Sequence, residues 1–233
     1  MTEIIPAIIP KSFDELQQKM ALAAGLVSLV QIDILDGKLT PKASWPYVEN
    51  TDVDFDNILK EKKGFPFWEQ LNFEADLMVE EPEKIWHDWV TAGVKRIIIH
   101  CESRCVLEKL IDDIVARSVP KESPLYTELG VAINIETPLE KLELLVPKID
   151  FVQFMGIAKI GFQGEPFDER VIEKIKEFKS KYPDIIVSVD GGVSLENAPA
   201  LISAGAERLV VGSAIFGNLD ISSVIEEFKN LLQ

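Results

Sequence analysis

Eight short apolar runs, most followed by a segment of helical periodicity, divide the chain into a repeating strand–helix unit. The runs are EIIPAII (3–9), LVSLVQIDIL (26–35), LNFEADLMV (71–79), VKRIIIH (94–100), GVAINI (130–135), DFVQFMGI (150–157), DIIVSVDGG (184–192) and RLVVGSA (208–214). Between them the spacing predicts helices in SFDELQQKMALAA, with Ser12 as N-cap, near 54–63, in PEKIWHDWVTAG with Pro82 in the first turn, around 104–117, in PLEKLELLV, in FDERVIEKIKEFKSKYP, in SLENAPALISAGA and in DISSVIEEFKNLLQ. Runs this apolar are buried on both faces, as parallel strands are when helices cover them. Eight such units in one chain of 233 residues predict a single (β/α)8 TIM barrel over 1–233. A doubly wound open sheet fits less well, because the glycine turn it needs after the first strand is missing.

Composition narrows the function classes. The formal charge of −15 repels nucleic acid and anionic membrane surfaces. The amino-terminal apolar run has no basic flank and is broken by Pro6 and Pro10, so neither a signal peptide nor a membrane span is expected. Cys101 and Cys105 are the only cysteines and lack a second metal-binding half, which reads as two reduced thiols in a cytoplasmic protein. Trp45, Trp68, Trp86 and Trp89 have no interleaved basic residues and read as packing, and FPFWEQL (65–71) as a plug at the barrel bottom or a subunit contact of a homo-oligomer.

In a barrel, chemistry gathers where strands end at their carboxyl edge. Those ends carry Gln31, Asp33 and Asp36, then Asp76, His100 with Glu102, Asn134, Asp190 with Gly191 and Gly192, and Gly212 with Ser213. Singly, each suits a helix cap. Together, Asp33 and Asp190 on the second and seventh strands face one another across the mouth, and two carboxylates across a small cavity suit proton transfer on both faces of a flat intermediate. Glycines in VDGGVS and VVGSAIF let backbone N–H groups approach an anion, with the start of a short helix adding a favourable dipole.

These motifs resemble the ribulose-phosphate 3-epimerase family over nearly the whole chain. QIDILDG is similar to the family's His-x-Asp-x-Met-Asp-Gly, FEADLM to FDVHLM, IHCE to FHxE, AINIETP to ALNPxTP and IGFQGEPF (160–167) to PGFGGQxF; VDGG and GSAIF are unchanged. The resemblance implies a barrel of the ribulose-phosphate-binding type that interconverts D-ribulose 5-phosphate and D-xylulose 5-phosphate through an enediolate. Asp33 and Asp190 would be its acid/base pair, Gly191, Gly192, Gly212 and Ser213 would hold the phosphate, and Gly161, Phe162, Gln163 and Gly164 would close over the sugar. The family's divalent metal is held by two His and two Asp. Here Gln31 and Asp76 stand at the His positions, Ala7 replaces a serine, Leu35 a methionine, Ile160 a proline and Lys42 an asparagine.

Three carboxylates around one mouth repel, and a hard cation relieves them. The all-oxygen set Gln31, Asp33, Asp76 and Asp190 suits Mg²⁺ or Mn²⁺ better than Zn²⁺ or Fe²⁺. The alternative is a site without metal, with Asp76 protonated or paired to Lys42. The leading expectation is a sugar-phosphate epimerase. The alternatives are an isomerase acting on another ketose phosphate and a sugar-phosphate-binding barrel without turnover. A decarboxylase or aldol-type relative is disfavoured, because the third strand lacks the lysine of DxKxxD.

Overall fold

A computed structural model describes residues 2–48 and 52–231; Leu232 and Gln233, the end of the last helical pattern, lie outside the described residues. Eight parallel strands form a closed barrel in chain order: β1 (Glu3–Ile8), β2 (Leu29–Leu35), β3 (Asn72–Met78), β4 (Arg96–His100), β5 (Glu128–Ile133), β6 (Phe151–Met155), β7 (Ile186–Asp190) and β8 (Arg208–Val211), with β8 paired back onto β1. All eight apolar runs thus form strands, and the barrel expected from them is the fold.

Helices sheathe the barrel: α1 (Phe13–Ala23), α2 (Val53–Leu59), α3 (Trp86–Thr91), α4 (Leu107–Arg117), α5 (Arg170–Lys181), α6 (Ala198–Ala204), α7 (Ser213–Phe216) and α8 (Ile221–Asn230). Ser12 Oγ accepts from the Glu15 N–H at 3.2 Å, capping α1 as its sequence position implies. Helices α4, α5 and α8 bury side chains at helical spacing: Leu110, Ile111 and Ile114; Val171, Ile175 and Phe178; Ile221, Ile225 and Phe228. PLEKLELLV departs from expectation. It forms two 3-10 turns, Leu139–Leu142 and Val146–Lys148, because Pro147 has no N–H to continue a helix. Pro82 likewise opens a 3-10 turn, Pro82–Lys84, and α3 starts only at Trp86.

Strand alternation sorts side chains between two environments. On β2, Val30, Ile32 and Ile34 face the helical sheath, while Gln31, Asp33 and Leu35 face the barrel interior; on β7, Val187 and Val189 face out while Ser188 and Asp190 face in. The interior is closed at the amino-terminal end by charges. Arg96 contacts Glu3 at 2.9 Å, Glu128 at 3.2 Å and Glu74 at 3.4 Å, and Arg208 contacts Glu128 at 2.8 Å. Gly130 leaves room for the Phe151 ring inside the barrel, since a Cβ there would lie 2.3 Å from the ring edge. Phe65 packs outside the barrel against Phe73 and Trp89, so FPFWEQL does not plug the bottom; the Glu–Arg layer does. Trp45, Trp86 and Trp89 are buried, whereas Trp68 is 64% exposed.

Candidate active site

The middle of the barrel is polar. Gln31, Asp76, His100, Gln153 and Ser188 are all essentially excluded from solvent, and Asp33 and Asp190 lie just above them at 5% and 8% exposure. Register brings them together: Asp33 stands opposite Asp76 across the β2–β3 pair, and Asp190 opposite Met155 across β6–β7. Side-chain oxygens of Asp33, Asp76 and Asp190 lie within 4.8 Å of one another.

Three nitrogen donors hold these carboxylates apart. Gln31 Nε2 donates to Asp33 Oδ1 at 2.7 Å and to Asp190 Oδ2 at 2.8 Å. Gln153 Nε2 donates to Asp76 Oδ2 at 3.1 Å and, at 3.5 Å, to Asp190 Oδ2, while Ser188 Oγ donates to Gln153 Oε1. His100 Nε2 lies 2.9 Å from Asp76 Oδ1, and its Nδ1 is 3.5 Å from Glu102 Oε2, an ion-pair distance too long for a good hydrogen bond.

Electrostatics follow from burial and crowding. Burial, then the charges of Asp190 and Asp76, push the Asp33 carboxyl well above the usual carboxylate range. Burial and Asp76 raise Asp190 to about 7, although the Gln31 hydrogen bond favours its ionised form. Burial works against an imidazolium at His100, but Asp76 and Glu102 outweigh it and carry its pKa up to about 10. Burial opposes ionisation of Glu102 too, yet His100, Thr137 and the Asn134 N–H bring it down to about 2. His100 therefore stands as a cation among acids, and Asp33 and Asp190 retain protons more readily than ordinary carboxyls. Such a pair can hold one proton between two oxygens that face one cavity.

That cavity opens at the carboxyl ends of the strands. Asp33 and Asp190 line it, together with Gly161, Phe162, Gln163, Gly164, Gly191, Gly192, Gly212 and Ser213. Gly191 (φ +99°) and Gly192 (φ +68°) turn the chain tightly; a Cβ at Gly192 would lie 2.8 Å from Phe167 Cα. Helix α7, which starts at Ser213, is a single turn of four residues. It sums too few peptide dipoles to supply the helix dipole expected there, so attraction for an anion rests on individual N–H groups. Among the described residues, none that lines the cavity is Lys or Arg.

The 160–167 loop folds over the mouth. Gly161 (φ +82°) packs against Thr40, and Gln163 Nε2 donates to the Ala7 carbonyl at 3.3 Å beside Gly212. Lys42 Nζ sits 4.3 Å above the Phe162 ring. Lys42 is thus a loop contact and not the partner of Asp76, whose partners are His100 and Gln153.

Other strand-end residues do structural work. Asp36 accepts from the N–H groups of Lys38, Leu39 and Glu80, and Glu102 accepts from the Asn134 N–H. Gln153 and Ser188 escaped sequence reasoning. Their signal was the one that marked Gln31, a polar residue at an inward position of an apolar strand.

The three aspartates are close enough to hold a metal ion. The rest of the donor set fits with one adjustment: Gln31 Oε1 is buried without a hydrogen-bond partner, and a half-turn of the amide exchanges it with Nε2 to complete four oxygens. Among the described residues, no helix is long and apolar enough to cross a membrane, and Cys101 and Cys105 are free thiols.

Comparison with known proteins agrees with this geometry. The family model "Ribulose-phosphate 3 epimerase family" matches residues 3–216. The chloroplastic ribulose-5-phosphate-3-epimerase of Arabidopsis thaliana is 30% identical over 97% of this chain and 75% of its own length. The ribulose-phosphate 3-epimerase of Bacillus subtilis is 29% identical over 98% of this chain and 99% of its own. Among solved structures, a 3-hexulose-6-phosphate synthase superposes with a TM-score of 0.69 at 19% identity, covering 99% of each chain. KGPDC from Streptococcus mutans gives 0.66 at 13%, covering 100% of this chain and 97% of its own. At those identities the two structures speak for the fold alone. With the family model matching residues 3–216 of the 233, the chain belongs to the ribulose-phosphate 3-epimerase family.

Proposed function

We propose that this protein is a sugar-phosphate epimerase that interconverts D-ribulose 5-phosphate and D-xylulose 5-phosphate. The observation that carries the reading is the pair Asp33 and Asp190, both with raised pKa, lining one cavity whose rim is the glycine cradle of β7 and β8. One carboxylate removes the proton on the carbon beside the ketone, and the other, protonated, returns one on the opposite face. A planar enediolate between them loses its stereochemistry at that carbon. Gly191, Gly192, Gly212 and Ser213 hold the phosphate, and Gly161 to Gly164 cover the sugar.

Asp33, Asp76 and Asp190, with Gln31 once its amide is turned, would hold a hard divalent cation such as Mg²⁺ or Mn²⁺. Such a cation would supply charge stabilisation to the enediolate oxygens. The same reading includes a cytoplasmic homo-oligomer, for which exposed Trp68 offers contact surface. A second reading, an epimerase for another ketose phosphate, is favoured by Gln163, whose side chain fills space beside Gly212 in the cavity. The test is conversion of D-ribulose 5-phosphate followed by a coupled assay for D-xylulose 5-phosphate, with ketohexose phosphates in parallel. Turnover of the pentulose supports the first reading, turnover of a hexulose alone supports the second, and binding without turnover contradicts both.

A further inference from the structure

Gln31 is fully buried at the centre of the polar layer, and both hydrogens of its amide are committed, one to Asp33 and one to Asp190. As oriented, the amide turns Nε2 to carboxylate oxygens of Asp33 and Asp190 at 2.7 and 2.8 Å; a carbonyl oxygen in that place would need a proton or a cation on each of them. The remaining polar contacts repeat the pattern. Gln153 bridges Asp76 and Asp190, and His100 holds the other oxygen of Asp76. His100, Asp76, Gln153, Asp190, Gln31 and Asp33 form a continuous chain in which nitrogen donors separate the acids.

A cation between these acids and the Gln31 amide therefore do the same electrostatic work on the same oxygens. Placing a cation against Asp33 and Asp190 breaks two buried hydrogen bonds, and turning the amide to offer Oε1 returns one ligand for the two bonds lost.

We propose that Gln31 takes the place of a cation between Asp33 and Asp190, holding the two carboxylates in position in the metal-free protein and competing with any divalent ion for their oxygens. The inference rests on the epimerase reading and deepens it by making Gln31 a positioning residue for the acid/base pair.

A ligand role and a bridging role for Gln31 predict opposite changes in metal affinity, which separates them. The protein is stripped with chelator, and Mn²⁺ affinity is measured by electron paramagnetic resonance for wild type, Gln31→Leu and Gln31→Met, with folding checked by circular dichroism. Loss of the donor leaves the acids unbridged, so Mn²⁺ binds at least about tenfold more tightly to either variant. Weaker or unchanged Mn²⁺ binding in a folded variant overturns the proposal. In parallel, wild type and Gln31→Leu, each with and without Mn²⁺, are assayed for deuterium incorporation at C3 of ribulose 5-phosphate. Exchange is expected to fall in Gln31→Leu under matched conditions, and equal exchange in the two proteins overturns the positioning role. If no exchange occurs with or without Mn²⁺, the epimerase reading fails, while the Mn²⁺ affinities still decide the place of Gln31.

Discussion

His100 Nε2 stands 2.9 Å from Asp76 Oδ1, with both side chains fully buried. Its imidazolium sets a positive charge in a layer of acids, amides and the Ser188 hydroxyl. Replacing one partner of such a pair strands the other, so His100→Asn is expected to cost about 3–5 kcal/mol in chemical denaturation at pH 6. The folded His100 pKa of about 10 lies above its ordinary value near 6.5. Its contribution is thus complete below pH 6.5 and fades as pH rises toward 10. The stability gap between wild type and variant should narrow over that window, and a gap independent of pH would contradict the ion pair.

A productive acid/base pair needs one proton between its two members. Burial and the charge of Asp76 bring Asp190 to about 7, and Asp33 is raised as well. Below that pH the pair holds two protons and lacks a base. Turnover of ribulose 5-phosphate is expected to rise as pH passes through about 7, then to fall at higher pH when the last proton leaves. A kcat profile from pH 5 to 10 measures this, and a flat profile between 6 and 8 would count against the pair.

In the proposed phosphate cradle, Gly192 bears on binding more than on chemistry. Its φ of +68° disfavours any side chain, and an added Cβ would lie 2.8 Å from Phe167 Cα. Gly192→Ala is expected to displace the cradle and raise KM about tenfold or more, roughly 1.4 kcal/mol of lost binding, with a smaller change in kcat. Isothermal titration with inorganic phosphate should show the same weakening. Equal phosphate affinity in wild type and variant would remove Gly192 from the phosphate site.

Glu74, in the charged floor of the barrel, links stability to pH in the opposite sense from a usual surface acid. Burial raises it to about 7 despite Arg96 and Arg208. The unfolded chain releases this proton near pH 4 and the folded protein only near 7, so folding loses stability as pH climbs between those values. Glu74→Gln removes that dependence. Thermal unfolding at pH 5 and pH 8 should show Tm of the variant falling less than that of wild type, whereas parallel curves would contradict a protonated Glu74.

The barrel was legible because each strand is apolar on the face that meets the helices and each unit repeats, a pattern that does not depend on distant partners. Asp33 and Asp190 were legible for a related reason: parity along the strand puts them inward, and ring position puts them near each other. The partners of Asp76 were less so. Lys42 was a candidate only as a nearby cation, and the side chain bends instead over Phe162, while His100 and Gln153 reach Asp76 from strands four and six. Which neighbour wins depends on strand register and side-chain reach, neither of which one sequence carries. The missing fifth helix had a local signal, Pro147 directly after PLEKLELLV, that apolar periodicity outweighed.

The central claim is that Asp33 and Asp190 work on opposite faces of one carbon. Ribulose 5-phosphate incubated with the protein in deuterated water, followed by NMR at C3, tests it most directly. Wild type should wash deuterium into C3 and form xylulose 5-phosphate. Asp33→Asn and Asp190→Asn should each cut epimerisation by about 10²–10⁴-fold while still binding phosphate. Epimerisation at the wild-type rate in either variant, or product formed without deuterium at C3, would contradict it.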